Sequence, residues 1–203
     1  MVNIRININT LSSKEKVLCH LIEDKTPQSI RVASHAIALD YKNTYNAVQE
    51  LGPAVHTEKL GNTNLIKLNL SSNPQIYKVE HIRTETYLLK HPKFKLIKED
   101  SVLLNYPFII VVLFGSYVSG NTSPHSDIDI CVIGDNDKKI KELVSKFKLL
   151  PLPLEIHEFS SNEFESMLKT KEANIANEIV KKNIILYGIE NYYNLVAPWM
   201  KKE

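Results

Sequence analysis

Phe114-Gly-Ser-Tyr-Val-Ser-Gly-Asn-Thr-Ser-Pro-His-Ser-Asp-Ile-Asp-Ile130 decides how the second half of this 203-residue chain is read. The apolar run Phe108 to Phe114 precedes it and reads as a buried strand. Gly115 and Ser116 then stand where that strand ends and a helix begins. Backbone N–H groups at such a junction point beyond the strand, and a glycine there lets a phosphate come close to the backbone. Ten residues separate Ser116 from Asp127-Ile-Asp129. Positions two apart on a strand project from one face, with α-carbons roughly 6.5–7 Å apart. Both carboxylates can then reach metal ions there, and magnesium takes hard oxygen ligands beside substrate phosphates. A Gly-Ser at this one offset from an Asp-x-Asp arises by chance in well under ~1% of chains this long.

Working outward, alternating strands and helices fill the C-terminal half. Ile128 to Ile133 and Leu152 to Phe159 read as strands, and Ile184 to Tyr187 as a last apolar run. Asp137 to Phe147 reads as a charged helix with Ile140, Leu143 and Val144 inward. Asn162 to Leu168, Lys171 to Lys182 and Glu190 to Lys202 read as further helices. Cys131 lies in an apolar strand, where a buried, inert thiol is expected. With Cys19 it makes two isolated cysteines without CxxC spacing, which argues against a zinc knuckle or a disulfide framework.

The first third reads differently. Ser12 with Glu15 makes a capping box for a helix carrying Val17, Leu18, Leu21 and Ile22. Thr26-Pro27 predicts the start of a second helix, with Ile30, Ala33 and Ile37 on one face. Asp40 caps a third, in which Thr44, Val48 and Leu51 face inward and Gly52-Pro53 marks the stop. Ala54 to Lys59 and Asn64 to Leu70, separated by Leu60-Gly-Asn-Thr63, predict a hairpin. Residues 71–105 read as a helical connector between a first domain over 1–70 and a second over 106–203.

A net charge of +2 gives no global field toward nucleic acid or membrane, so any such contact is local. The opening MVNIRININT lacks the apolar core and cleavage site of a signal peptide. Pro107 to Phe114, the longest apolar stretch, is too short to span a bilayer. A cytoplasmic protein without membrane contact is expected.

The Gly115-Ser116 to Asp127-Ile-Asp129 stretch resembles the signature of the minimal nucleotidyltransferases, relatives of the DNA polymerase beta superfamily. The resemblance runs from about Phe108 to the C-terminus and includes Ile184-Ile-Leu-Tyr-Gly188 with its following helix. It implies a small α/β (α+β) domain on a mixed sheet. It also implies a triphosphate held at Gly115, Ser116 and Ser126, and two Mg2+ ions, with Mn2+ as an alternative, on paired aspartates. Members usually add a third carboxylate from a neighbouring strand. Glu155 in Leu154-Glu-Ile-His-Glu158 is the candidate, giving Asp127, Asp129 and Glu155 as catalytic and metal residues. Glu158 falls on the opposite face by alternation, while His157 shares the face of Glu155 and is read as a polar neighbour. A solvated edge-strand glutamate is the plainer alternative for Glu155. Many relatives carry arginine just before the second glycine of the loop. Here Ser119 precedes Gly120, which removes a phosphate contact. Asn121 stands where an acidic residue is frequent, and His125 is read as solvent-exposed.

Ser29 to Leu51 resembles a winged helix-turn-helix unit. That resemblance leaves Lys42, Asn43, Asn46 and Gln49 on the outer face of its third helix, where Asn and Gln suit adenine edges and Lys42 suits phosphate. Asp40, Glu50 and Glu58 dilute the positive surface. The expected partners are an NTP, duplex DNA or RNA on the first domain, and a protein acceptor or second copy of the chain. The resemblance thus implies metal-dependent transfer of a nucleoside monophosphate from an NTP. The alternative is a DNA-binding regulator whose transferase domain senses nucleotide.

Overall fold

The computed structural model describes residues 11–61, 63–123, 126–170 and 172–200. The opening segment MVNIRININT, the turn residue Asn62, the loop residue His125 and the last residues of the expected closing helix lie outside them. The chain divides into two compact units, Met1–Arg83 and Thr84–Glu203. The boundary falls inside a helix, so the stretch read as a connector is shared between them.

In the first unit, helix α1 spans Ser13–Glu23. The Ser12 hydroxyl accepts the Glu15 N–H, and the Glu15 carboxylate accepts the Ser12 N–H at 2.8 Å, closing the expected capping box. Val17, Leu18, Leu21 and Ile22 recur at helical spacing and are all buried. Full burial of one such side chain stabilises the fold by roughly 1.5–3 kcal/mol. The second helix departs from the sequence reading. Gln28 and Ser29 form a two-residue strand, β1, and helix α2 spans Ile30–Ala36. Gln28 pairs with Ile66 and Ser29 with Leu65, while the Ser29 hydroxyl takes the Val32 N–H. Thr26 is instead tied back to Asp24, its hydroxyl donating at 2.6 Å, so it does not cap the helix.

Helix α3, Tyr41–Leu51, starts at the Asp40 cap as expected and buries Thr44, Ala47, Val48 and Leu51. Gly52 follows at φ 51°, a conformation that suits a residue without Cβ. Strands β2, Val55–Leu60, and β3, Thr63–Leu68, pair antiparallel as the hairpin. The sheet order is β1-β3-β2.

Helix α4, Pro74–Lys90, crosses the boundary between the units, and α5, Lys95–Leu103, follows a single 3-10 turn over Pro92–Phe94. The second unit then builds strands β4, Ile110–Leu113, and β5, Ile128–Ile133. A short helix, α6, Ser116–Ser119, lies between them. Helix α7, Asp137–Phe147, leads to strand β6, Leu154–Phe159. Helices α8, Ser161–Lys169, and α9, Ile175–Lys181, precede strand β7, Ile184–Tyr187, and helix α10, Ile189–Met200. The sheet order is β6-β5-β4-β7, with β5 and β6 parallel and the other pairs antiparallel. This is the mixed sheet that the sequence reading anticipates.

The two central strands are buried along their length and, apart from Asp129, apolar. Val111, Leu113, Ile128, Ile130 and Val132 join Ile97, Leu143 and Phe147 in one buried cluster. Thr84, itself buried, donates its hydroxyl to the Ile185 carbonyl at 2.8 Å and ties the second half of α4 to β7. Cys131 is free and buried, and burial pushes its thiol well above the ordinary range. Among the described residues no helix is long and apolar enough to cross a membrane.

Candidate active site

Strand β4 delivers the Gly-Ser turn onto strand β5. Phe114 donates its N–H to the Asp129 carbonyl at 3.1 Å. Gly115 then turns at φ 68°, ψ −146°, close to a region open essentially to glycine alone. A Cβ at this position would stand 2.0 Å from Asp129 Oδ2 and 2.7 Å from its Cγ. The backbone of the turn is therefore laid directly against the aspartate, in space that any other residue would fill. The Ser116 N–H donates to the Asp129 carboxylate.

The rest of the loop is braced from both sides. The Ser116 carbonyl accepts the N–H groups of Gly120 and Asn121 at 3.0 and 3.1 Å, and the Ser119 hydroxyl at 3.2 Å. Ser126 closes the loop: its hydroxyl accepts the Ser123 N–H at 2.8 Å. Tyr87 donates its hydroxyl to the Tyr117 carbonyl at 3.0 Å. Lys93 donates to the Tyr117 hydroxyl at 3.0 Å, with its ammonium 4.1 Å from the ring centroid. Sequence reasoning missed Lys93 and Tyr87. They lie 24 and 30 positions from Tyr117, and no local pattern links them.

The expected acidic residues do not stand alike. Asp127 is exposed and precedes β5, where Ile128 donates its N–H to the Pro153 carbonyl at 2.8 Å. Asp129 sits on the strand itself, half-buried, and pairs in register with Glu155 across the parallel ladder. Burial first, and then the neighbouring Glu155 charge, hold the Asp129 carboxyl above its ordinary value, while the Ser116 N–H pulls the other way. His157, two residues on along β6, places Nε2 3.5 Å from Glu155 Oε1. Its ring lies 5.6 Å from that of buried Phe114, which fixes its setting. One ligand atom each from Asp129, Glu155 and His157 lie within 4.8 Å of one another. Glu158 is on the other face, where it lines an open hollow with Leu154, Ile156 and Phe147.

A divalent cation fits this donor set. Two carboxylates and an imidazole converge on one face of the sheet. The missing Cβ at Gly115 also keeps the Asp129 carboxylate in its place.

In the first unit, Lys42, Asn43, Asn46 and Gln49 are all exposed on α3. Asn43 is partly committed: its carboxamide donates to the Asp40 carboxylate, and its N–H donates to the same group at 2.9 Å. Tyr41 and Tyr45, absent from the sequence reading, are exposed and stacked with centroids 6.3 Å apart.

Residues 99–192 match the model of a family described as polymerase beta, nucleotidyltransferase. The second unit thus carries a domain similar to those nucleotidyltransferases. A solved structure described as "Crystal structure of the toxin-antitoxin with AMP-PNP" is similar at 22% identity. It covers 52% of this chain and 85% of that chain, with a TM-score of 0.35. No curated protein matches the chain.

Proposed function

We propose that the second unit transfers a nucleoside monophosphate from an NTP to an acceptor hydroxyl or phosphate, releasing pyrophosphate. The observation that carries this reading is the Gly115-Ser116 turn laid on Asp129, with Glu155 beside it on the next strand. The match of residues 99–192 to a nucleotidyltransferase family supports it. Asp127, Asp129 and Glu155 would hold two divalent cations, Mg2+ or Mn2+, whose charge offsets the triphosphate and lowers the pKa of the acceptor hydroxyl.

The chain's own residues do the positioning. Ser116 offers its hydroxyl to the triphosphate while its N–H holds Asp129 in place. Ser126, which closes the loop, and Gly115, which gives backbone access, complete the nucleotide side. The acceptor oxygen bonds to the α-phosphorus as the bond from that phosphorus to the β-phosphate oxygen breaks. Pyrophosphate leaves with the electron pair, and the acceptor proton passes by way of Glu155 to solvent.

Incubation of the full chain with each α-labelled NTP, Mg2+ or Mn2+, and cellular RNA or protein tests the reaction through label transfer and pyrophosphate release. Glu155→Gln is expected to lower turnover by roughly 10²–10⁴, the range for losing a positioned proton acceptor, with nucleotide affinity nearly intact. Unchanged turnover in this variant would pass the third-carboxylate role to another residue.

We further propose that the first unit is a winged helix-turn-helix that binds duplex DNA or RNA, so that transfer takes place on or near nucleic acid. The helix and strand order, the β1-β3-β2 sheet and the exposed face of α3 support this. Lys42, Lys59, Lys67 and Arg31 supply the cationic contacts, a modest set. On duplex DNA the full chain is expected to show a log–log salt slope of roughly −3 to −4. Lys42→Ala should weaken binding to all sequences alike, and Asn46→Ala should reduce sequence preference. Absence of duplex binding at low salt would make α3 a protein- or self-docking face instead. A second reading of the whole chain, a DNA-bound nucleotide sensor, draws on Ser119, whose hydroxyl turns back onto the Ser116 carbonyl and leaves the loop without a cation there.

A further inference from the structure

The candidate site contains a nitrogen donor that an all-carboxylate nucleotidyl-transfer site does not need. His157 lies on the same face of β6 as Glu155, and its Nε2 is 3.5 Å from Glu155 Oε1. Across the ladder, the ligand atoms of Asp129 and Glu155 fall with that of His157 inside a 4.8 Å sphere of mutual distances. Atoms on opposite sides of an ion bound at about 2.1 Å stand roughly 4.2 Å apart, and adjacent ones about 3 Å. The three donors therefore stand close enough to converge on one cation after side-chain adjustment of the order of an ångström. The imidazole is also set by packing: its ring sits 5.6 Å from Phe114, whose side chain is buried in front of the Gly-Ser turn.

We infer that His157 is a metal ligand with Asp129 and Glu155, and that this position selects a first-row transition cation over Mg2+. The inference rests on the nucleotidyl-transfer reading of the same site and specifies its metal. Magnesium prefers oxygen ligands and gains little from an imidazole, whereas Mn2+, Co2+ and Zn2+ accept mixed nitrogen and oxygen sets. Among transition ions, affinity for such a set rises from Mn2+ to Co2+. Asp127, exposed and one residue ahead of β5, stays outside this cluster and is left for the oxygen-rich, triphosphate-bound ion.

The experiment uses the full chain with MnCl2, CoCl2 and MgCl2 as the probes. Calorimetric titration is expected to rank Co2+ above Mn2+ above Mg2+. Pulsed electron paramagnetic resonance of the bound Mn2+ should show coupling to an imidazole nitrogen. Asp129→Asn should remove that signal, which separates the site from surface histidines. His157→Gln should lower the ratio of Co2+ to Mg2+ affinity by about tenfold or more and abolish the nitrogen coupling. Because the spectrum is read on the unaltered protein, it decides the matter even where the variant fails to fold. Cation binding that Asp129→Asn removes, without nitrogen coupling and with selectivity unchanged in His157→Gln, would overturn this inference and leave the transfer reading standing. No binding of any of the three ions, with or without NTP, would overturn both.

Discussion

Replacing Asp127 and Asp129 together by asparagine is expected to abolish metal-dependent NTP binding and to lower nucleotidyl transfer by at least about 10³-fold. The magnitude follows from charge compensation worth several kcal/mol at a triphosphate, at about 1.4 kcal/mol for each factor of ten. Calorimetric titration with a non-hydrolysable NTP, with and without chelator, checks it; equal affinity in the double variant would remove the metal-site claim. The Asp129 carboxyl titrates above its ordinary value in the fold, chiefly through burial and then through Glu155. A carboxyl raised in this way favours the folded state below its unfolded pKa, and that stability is lost as pH rises through the folded pKa. At neutral pH the charged Asp129 therefore works against stability, and asparagine relieves it while its amide oxygen still accepts the Ser116 N–H. Asp129→Asn should melt no lower than the unaltered protein at pH 7, and the difference between the two should shrink as pH falls through the Asp129 titration.

Gly115→Ala carries the second large effect. The new methyl group would sit 2.0 Å from Asp129 Oδ2 on a backbone at φ 68°. The backbone conformation alone costs about 1–3 kcal/mol for a residue with Cβ. The clash adds to this by driving the carboxylate away from Glu155 and His157. A displacement of about 1 Å at such a group costs on the order of 10² in rate, so turnover should fall at least that far. Chemical denaturation gives the stability change, and a double-mutant cycle identifies its cause. With Asp129→Ala in the background, the nearest remaining atom of residue 129 is its Cβ at 3.2 Å. Gly115→Ala should then cost clearly less than it does alone. Equal cost in both backgrounds would mean that the turn itself, and not its contact with Asp129, demands glycine.

What the sequence determined by itself is local and periodic. The Ser12–Glu15 box, the Asp40 cap, the bounds of β5 and β7 and the inward row of α7 follow from side-chain hydrogen bonding and from periods of two and 3.6 residues, all legible within one segment. The pairing of a strand-ending Gly-Ser with Asp-x-Asp is also a near-neighbour pattern, and it marks Gly115, Ser116, Asp127 and Asp129 as candidates. Tertiary structure decided what depends on register between distant segments. Gln28 and Ser29 are too short a stretch to carry a period, and only β3 makes them a strand instead of a helical turn. The alignment of Asp129 with Glu155 comes from the parallel pairing of β5 with β6, which a shift of one residue would destroy. His157 lies beside Glu155 by strand alternation alone, but its approach to Asp129 comes from that same pairing and its contact with the ring of Phe114 from the fold, and Lys93 meets Tyr117 across 24 positions. The tight approach of Gly115 to Asp129 likewise exists only once β4 and β5 lie side by side, because backbone hydrogen bonding between strands brings the two within contact distance.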